Sequence, residues 1–232
     1  MNATEPEVFN PTAQALRAIW PNLPVLLVSG SAVSAAAILV SLFTPGITPL
    51  SCVLWCLIVG PCFGALQAQF TDLALGSHVK VFSFPRYLRR FGLLGLGTWA
   101  PPAIIAAVGL IALQWWNHEQ NAIVLIPLVI IGAGLSLSVL GAIAALPVGI
   151  SNNEERGVPL FIFALHIVAR RPVPVIAVVA VAALGFWAAT TISASMLLLV
   201  SVPLAVTAYA ATWTSAAVAG LAPKETGLLA AV

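Results

Sequence analysis

Charge is what this chain has least of. Asp, Glu, Lys and Arg make up 7% of its 232 residues, against about 25% in a soluble domain. So few charges cannot clothe a water-facing surface. A soluble globular protein is excluded, and lipid is the solvent over most of the area. A net charge of +2 gives no electrostatic footprint for nucleic acid. Cysteine is scarce too. Cys52, Cys56 and Cys62 fall in one apolar run, and an odd number held in lipid leaves no disulfide framework. Cys52 and Cys56 sit one helical turn apart and read as small apolar packing residues rather than a soft-metal pair. Catalytic motifs are missing: the chain has no HExxH, CxxC or GxSxG and no glycine-rich phosphate loop with its lysine. No Asp, Glu, Lys, Arg or His falls in the middle of a predicted span. Such groups mark proton relays and ion pathways, so their absence counts against a proton-coupled pump. The reading is non-enzymatic, with no catalytic, cofactor or metal residue assigned.

What the chain has is hydrocarbon. Hydrophobic residues reach 61% and mean hydropathy is +1.07. That predicts an all-α polytopic membrane protein, one helical domain over residues 1–232, with about six spans of ~20 residues. The first 19 residues carry Glu5, Pro6, Glu7 and Pro11 and lack a basic n-region feeding an apolar core. Span one is therefore expected to stay as an anchor. Pro11 to Trp20 reads as a short amphipathic interfacial helix, with Asn10 or Thr12 as its cap. The spans fall at about 22–43, 49–70, 91–115, 122–149, 174–191 and 196–217. The first two are joined by the charge-free turn TPGITP, which predicts a hairpin. Pro61 should kink span two beside the pair Gly60 and Gly64. Pro101 and Pro102 should bend span three, whose far end is marked by Trp115 and Trp116. Small residues recur at four-residue spacing in span four, Gly134 with Ser138 and Gly141 with Ala145 and Gly149, which predicts close helix contact. The apolar dozen Val158 to Ala169 is too short to cross. It reads as an interfacial helix, with a re-entrant segment as the alternative.

Charge then orients the bundle. All nine Lys and Arg residues lie in the N-terminal segment, the second and fourth loops and the tail of the six-span arrangement, and none in loops one, three or five. By the positive-inside rule that side is cytoplasmic and holds both termini. Two polar islands carry most of these charges. One is Asp72 to Arg90, with Lys80, Arg86, Arg89 and Arg90. The other is Ser151 to Arg171, with Arg156, Arg170 and Arg171. Each passes from Gly-Ala through a span end and a polar turn into an aromatic-bearing segment that ends in Arg-Arg. Stretches 64–91 and 141–172 thus have the layout of a parallel duplication. Arg86, Arg89, Arg90, Arg170 and Arg171 are the candidate contacts. Their expected partners are lipid headgroups, at roughly 1 kcal/mol per basic residue, or a docked protein: transporter subunits or a second copy of the chain.

The run GPCFGALQAQF, the island with Phe84 and Arg89-Arg90, and the later ARRPVPVI resemble the YesL-like family of small bacterial membrane proteins. The chain departs from that pattern at TPGITP, where an extra apolar run precedes the Gly-Pro. Members of the family have no established biochemical activity and are often linked with carbohydrate utilisation. The resemblance implies a multi-pass protein of the bacterial inner (plasma) membrane and a lean toward sugar uptake, with no catalytic residues to carry over. The leading expectation is an accessory or assembly component of a solute (carbohydrate) uptake system. The alternative is a small transporter or channel for a neutral solute, with a polar midplane cavity near Pro61, Pro101 and Ser136. A third reading, an intramembrane enzyme, would need His78, His166 and Glu154 brought together.

Overall fold

The computed structural model describes residues 10–44, 46–119, 125–152, 157–191, 197–218, 220–224 and 226. Among them every regular element is helical. In chain order these are α1 (Pro11–Ile19), α2 (Leu23–Phe43), α3 (Pro49–Leu54), a π-helical stretch (Trp55–Val59), α4 (Gly60–Ala74), a 3-10 turn (Val81–Ser83), α5 (Phe84–Glu119), α6 (Leu125–Ser151), α7 (Val158–Arg170), α8 (Pro172–Thr191) and α9 (Leu197–Ala217).

Proline and short polar caps mark the helix starts. A proline stands in the first turn of α1, α2, α3, α4 and α7, where its missing N–H forfeits no intrahelical bond. Asn10 caps α1, its side chain accepting from the Ala13 N–H at 3.2 Å. On α3 the Ser51 N–H donates to Thr48 Oγ1 at 3.1 Å, and the Thr48 N–H donates to Ser51 Oγ at 2.9 Å. This reciprocal box fixes the turn between α2 and α3.

The predicted spans map onto α2, α3 through α4, α5, α6, α8 and α9, and the apolar dozen is α7. Length and apolarity alone qualify four continuous stretches among the described residues: Leu23–Phe43, Pro49–Ala74, Val81–His118 and Leu125–Ser151. The bent pair α7 and α8, meeting at 101°, makes a fifth if counted as one span. The chain is an all-α polytopic membrane protein. Leu42, Ile104, Ile111, Ile130, Leu184 and Trp187 are all more than half exposed, a surface that only hydrocarbon covers cheaply.

At the centre stands α4, whose residues are buried without a break from Phe63 to Ala74. It packs against α1, α2, α5, α6 and α9. Its end is a Schellman motif: the Ser77 N–H donates to the Asp72 carbonyl at 3.0 Å and the Gly76 N–H to the Leu73 carbonyl at 3.1 Å. This needs a left-handed residue, and Gly76 sits at φ +88°. A Cβ there meets nothing within 4 Å, so the cost of substitution is conformational only. Gly76→Ala is expected to destabilise by about 1–2 kcal/mol. A melting temperature in detergent equal to that of the parent protein would remove this account.

The first island departs from the sequence expectation twice. Phe84 to Arg90 is not loop; it forms the first two turns of α5, a helix of 36 residues and about 54 Å. The pattern accounts for this, because Ser83, Tyr87 and Phe91 fall on one buried face while Arg86, Arg90 and Leu93 point outward. Asp72, assigned to the polar turn, is instead inside α4 and 1% exposed. The two stretches aligned as a duplication also differ at their Arg-Arg pairs. Arg89 and Arg90 lie within continuous helix. Arg170 and Arg171 lie at the α7–α8 bend, where Pro172 keeps Arg171 out of the helical region (φ −144°, ψ 86°). Arg156, Glu154 and most of the TISAS joint fall outside the described residues.

Candidate functional site

Hydrogen bonds between distant segments draw the basic elements to one end of the bundle. The Ser215 hydroxyl of α9 donates to the Arg171 carbonyl at 3.2 Å, capping the group that the bend leaves free. The Ser151 hydroxyl, at the end of α6, donates to the Lys224 carbonyl at 3.4 Å. All five predicted contact residues, Arg86, Arg89, Arg90, Arg170 and Arg171, are exposed. The Arg90 guanidinium lies 5.4 Å from the Phe91 ring centroid, a cation–π contact worth about 0.5–1 kcal/mol at such a site. The other four project from α5 and from the α7–α8 corner.

Beneath them lies a buried polar knot that sequence reasoning missed. Asp72 Oδ2 accepts from the Tyr87 hydroxyl at 2.6 Å and from the Thr226 hydroxyl at 2.6 Å, and Asp72 Oδ1 accepts from the Thr226 N–H at 2.9 Å. One carboxylate thus ties the end of α4, the first turn of α5 and the stretch after α9. Next to it Gln69 Nε2 donates to Ser83 Oγ at 3.0 Å, and that hydroxyl donates to the Lys80 carbonyl at 2.7 Å. Tyr87 and Gln69 are fully buried. The available signal was the polar cluster Gln67, Gln69, Thr71 and Asp72 at the end of an apolar run; the partner Thr226, 154 residues away, left none. Deeper on α4 and α9, both side-chain polar atoms of Gln67, the Tyr209 hydroxyl and the Trp213 indole N–H have no hydrogen-bond partner among the described residues.

The opposite end holds a cleft of about 620 Å³. Its walls come from α2, α3, the π-helical stretch, α4, α5 and α6, with Phe186 and Leu204 added from α8 and α9. Pro61 explains the π-helical wall. Its ring would collide with the Leu57 carbonyl in a regular helix, and it has no N–H to offer. The wider turn absorbs the misfit, and the Gly60 N–H donates to the Trp55 carbonyl five residues back. The predicted kink is therefore a π segment. Cys52 and Cys56 both line the cleft, and Cys56 Sγ approaches the Leu96 carbonyl at 3.7 Å.

The neutral-solute expectation, a polar midplane cavity near Pro61, Pro101 and Ser136, does not match this cleft. Pro102 lines it; Pro61, Pro101 and Ser136 do not. Ser136 is exposed and turns its hydroxyl back to the Gly132 carbonyl at 2.9 Å. His78 and His166 are exposed on separate elements, and no three His, Cys, Asp or Glu residues cluster as metal ligands among the described residues. No family model, no curated protein and no solved structure matches this chain.

Proposed function

We propose that the chain is a non-enzymatic integral membrane protein that serves as an accessory or assembly component of a solute uptake system. On this reading a partner docks on the basic end. One observation carries it: the exposed Arg86, Arg89 and Arg90 stand on the start of α5, which the buried Asp72 knot ties to α4 and to the stretch after α9. Flexible loops are poor docking platforms because binding must order them. Here Arg86, Arg89 and Arg90 are already fixed on helix, and the Arg171 corner is fixed by Ser215. The resemblance to the YesL-like family supplies the lean toward carbohydrate uptake.

Arginine and lysine separate a protein partner from bare lipid. A guanidinium can grip a carboxylate with two parallel hydrogen bonds, whereas an ammonium offers only a point charge. Converting all five to lysine keeps the charge, and with it the orientation rule and headgroup attraction. The protein is purified from its native membrane in mild detergent. Transporter subunits are expected to accompany the parent protein and to fall about tenfold with the five-lysine variant, while bound anionic lipid is unchanged. Recovery of the parent protein alone would overturn the proposal. Equal recovery of subunits with both forms would leave the arginines as charge carriers only.

A second reading, transport of a neutral solute, is favoured by the 620 Å³ cleft beside the π-helical stretch. The cleft's apolar lining points that reading toward apolar solutes rather than sugars, whose hydroxyls would go unpaired there.

A further inference from the structure

We infer that the cleft at the end opposite the arginines is a binding site for a neutral single-chain amphiphile: a hydrocarbon tail with a hydrogen-bond-donating head such as a hydroxyl. The inference rests on the cleft alone and stands whether or not the accessory role does.

Size comes first. At about 620 Å³ the cleft lies within the ~300–1,000 Å³ span of small-molecule sites. At the ~30 Å³ of a liquid-packed water, it holds about 20 methylene-sized groups, one long chain. Charge comes next. Among the described residues no Asp, Glu, Lys, Arg or His lines the cleft, so an ionised head drawn into it would lose its hydration with no partner among them in return. A carboxylate or an ammonium is thereby disfavoured.

The polar atoms of the lining select the head. Ser41, Thr44 and Ser51 line the cleft where α2 turns into α3, and Thr44 and Ser51 are only 7% and 6% exposed. Each hydroxyl already donates its proton to a backbone carbonyl: Ser41 to Ala37 at 3.0 Å, Thr44 to Val40 at 2.8 Å and Ser51 to Thr48 at 2.6 Å. What remains for a ligand is oxygen lone pairs. The rim hydroxyls can accept a hydrogen bond and have no proton left to give, while the buried Trp99 indole N–H, also in the lining, has no acceptor among the described residues. The cleft therefore fits a head that donates at the rim and can also accept, as a hydroxyl does. Farther in, Phe63 and Trp99 meet edge to face with centroids 6.2 Å apart, a rigid apolar wall for the tail. Leu42, Phe43 and Ile47 flank the rim and are 78%, 74% and 76% exposed. This places the polar end toward a membrane surface and the tail toward the midplane, the posture of an amphiphile in its own leaflet.

Trp55 and Trp99 line the cleft and can report on it. The full-length protein in detergent is titrated with a terminally brominated straight-chain alcohol, and with the brominated alkane and carboxylic acid of equal length. Saturable quenching of tryptophan fluorescence is expected, absent in the Trp55→Phe, Trp99→Phe double variant. The alcohol should bind about two- to tenfold tighter than either comparison probe, the margin of one neutral hydrogen bond. Thr44→Val should reduce the alcohol to the affinity of the alkane. Ala103→Phe with Ala106→Phe fills the cleft and should abolish saturation, with Ala106→Phe alone used where the pair does not fold. Quenching that never saturates, or that survives the filled cleft in a protein with parental melting temperature, would mean simple partition and overturn the site. Equal affinity for all three probes would overturn the choice of head.

Discussion

Gly95→Leu is expected to abolish recovery of monodisperse protein, and Gly95→Ala to cost about 1–3 kcal/mol. In lipid no hydrophobic effect pulls apolar helices together, so close van der Waals packing carries the association. The α4–α5 seam shows how close. A Cβ on Gly95 would overlap the Gly60 carbonyl oxygen and lie 3.1 Å from both the Gly60 carbonyl carbon and Gly64 Cα. The contact is reciprocal: a Cβ on Gly64 would sit 3.0 Å from Gly95 Cα and 3.0 Å from the Phe91 carbonyl. These are backbone atoms, and no rotamer change moves them aside. The two helices must separate instead, and α4 is buried through its whole second half. Gly97 supplies the control two residues along the same helix. A Cβ there meets nothing within 4 Å, so Gly97→Ala is expected to be neutral or to stabilise by up to about 1 kcal/mol. Thermal melting and size-exclusion profiles in detergent measure both. Equal melting temperatures for Gly95→Ala and Gly97→Ala would show that the seam yields and that this packing argument is wrong.

That seam was half legible. Gly60 and Gly64 announce a close-packing face by their spacing, but nothing in the sequence says that Gly95 is opposite. The same division runs through the rest of the chain. The all-α membrane class was readable because a bilayer imposes one polarity on every crossing helix; the number of crossings was not, since four stretches qualify by length and apolarity, or five with the bent pair α7 and α8, against the six expected. Proline placement was readable for a local reason, since a missing N–H matters within one turn. The π-helical form of Trp55–Val59 was not, because Pro61 permits a kink, a break or a wider turn, and its local sequence does not choose among them. Small residues in α6 were expected to give close helix contact, and α6 packs on α5 and α7. Which side chains fill the seam was not readable: Gly141 faces the Phe161 ring and Gly149 faces Leu160 and Leu94. The five arginines were legible as exposed charge. The carboxylate beneath them was not, because Asp72 borders a run of charges and reads as one more member of it. Its burial depends on Tyr87 and Thr226, which only the fold brings near.

Asp72→Ala is therefore expected to be among the most damaging single changes at the basic end, at about 3 kcal/mol. It removes the acceptor at which the Tyr87 hydroxyl, the Thr226 hydroxyl and the Thr226 N–H now point. A buried donor left without a partner costs about 1–3 kcal/mol. The full sum is not expected, because the stretch holding Thr226 can lift away and give its two donors to water. Tyr87 cannot lift away, since it is fixed in α5 and fully buried. Tyr87→Phe and Thr226→Val each remove one donor and leave the carboxylate two, so each should cost about 1–2 kcal/mol. The shared acceptor also predicts coupling, with the double variant departing from additivity because both hydroxyls act on the same oxygen. Lys224 gives a local readout. It is exposed, yet a protease must draw the chain around it into an extended form, and Thr226 holds that chain two residues away. Trypsin cleavage after Lys224 should be slow in the parent protein, faster in Thr226→Val and fastest in Asp72→Ala, where both Thr226 bonds to the carboxylate are lost. Tyr87→Phe should melt lower with little change in cleavage, because both Thr226 bonds to Asp72 survive it. Equal cleavage rates across the series would mean that the carboxylate packs against this stretch without holding it, and the base under the arginines would then have to be rigid for another reason.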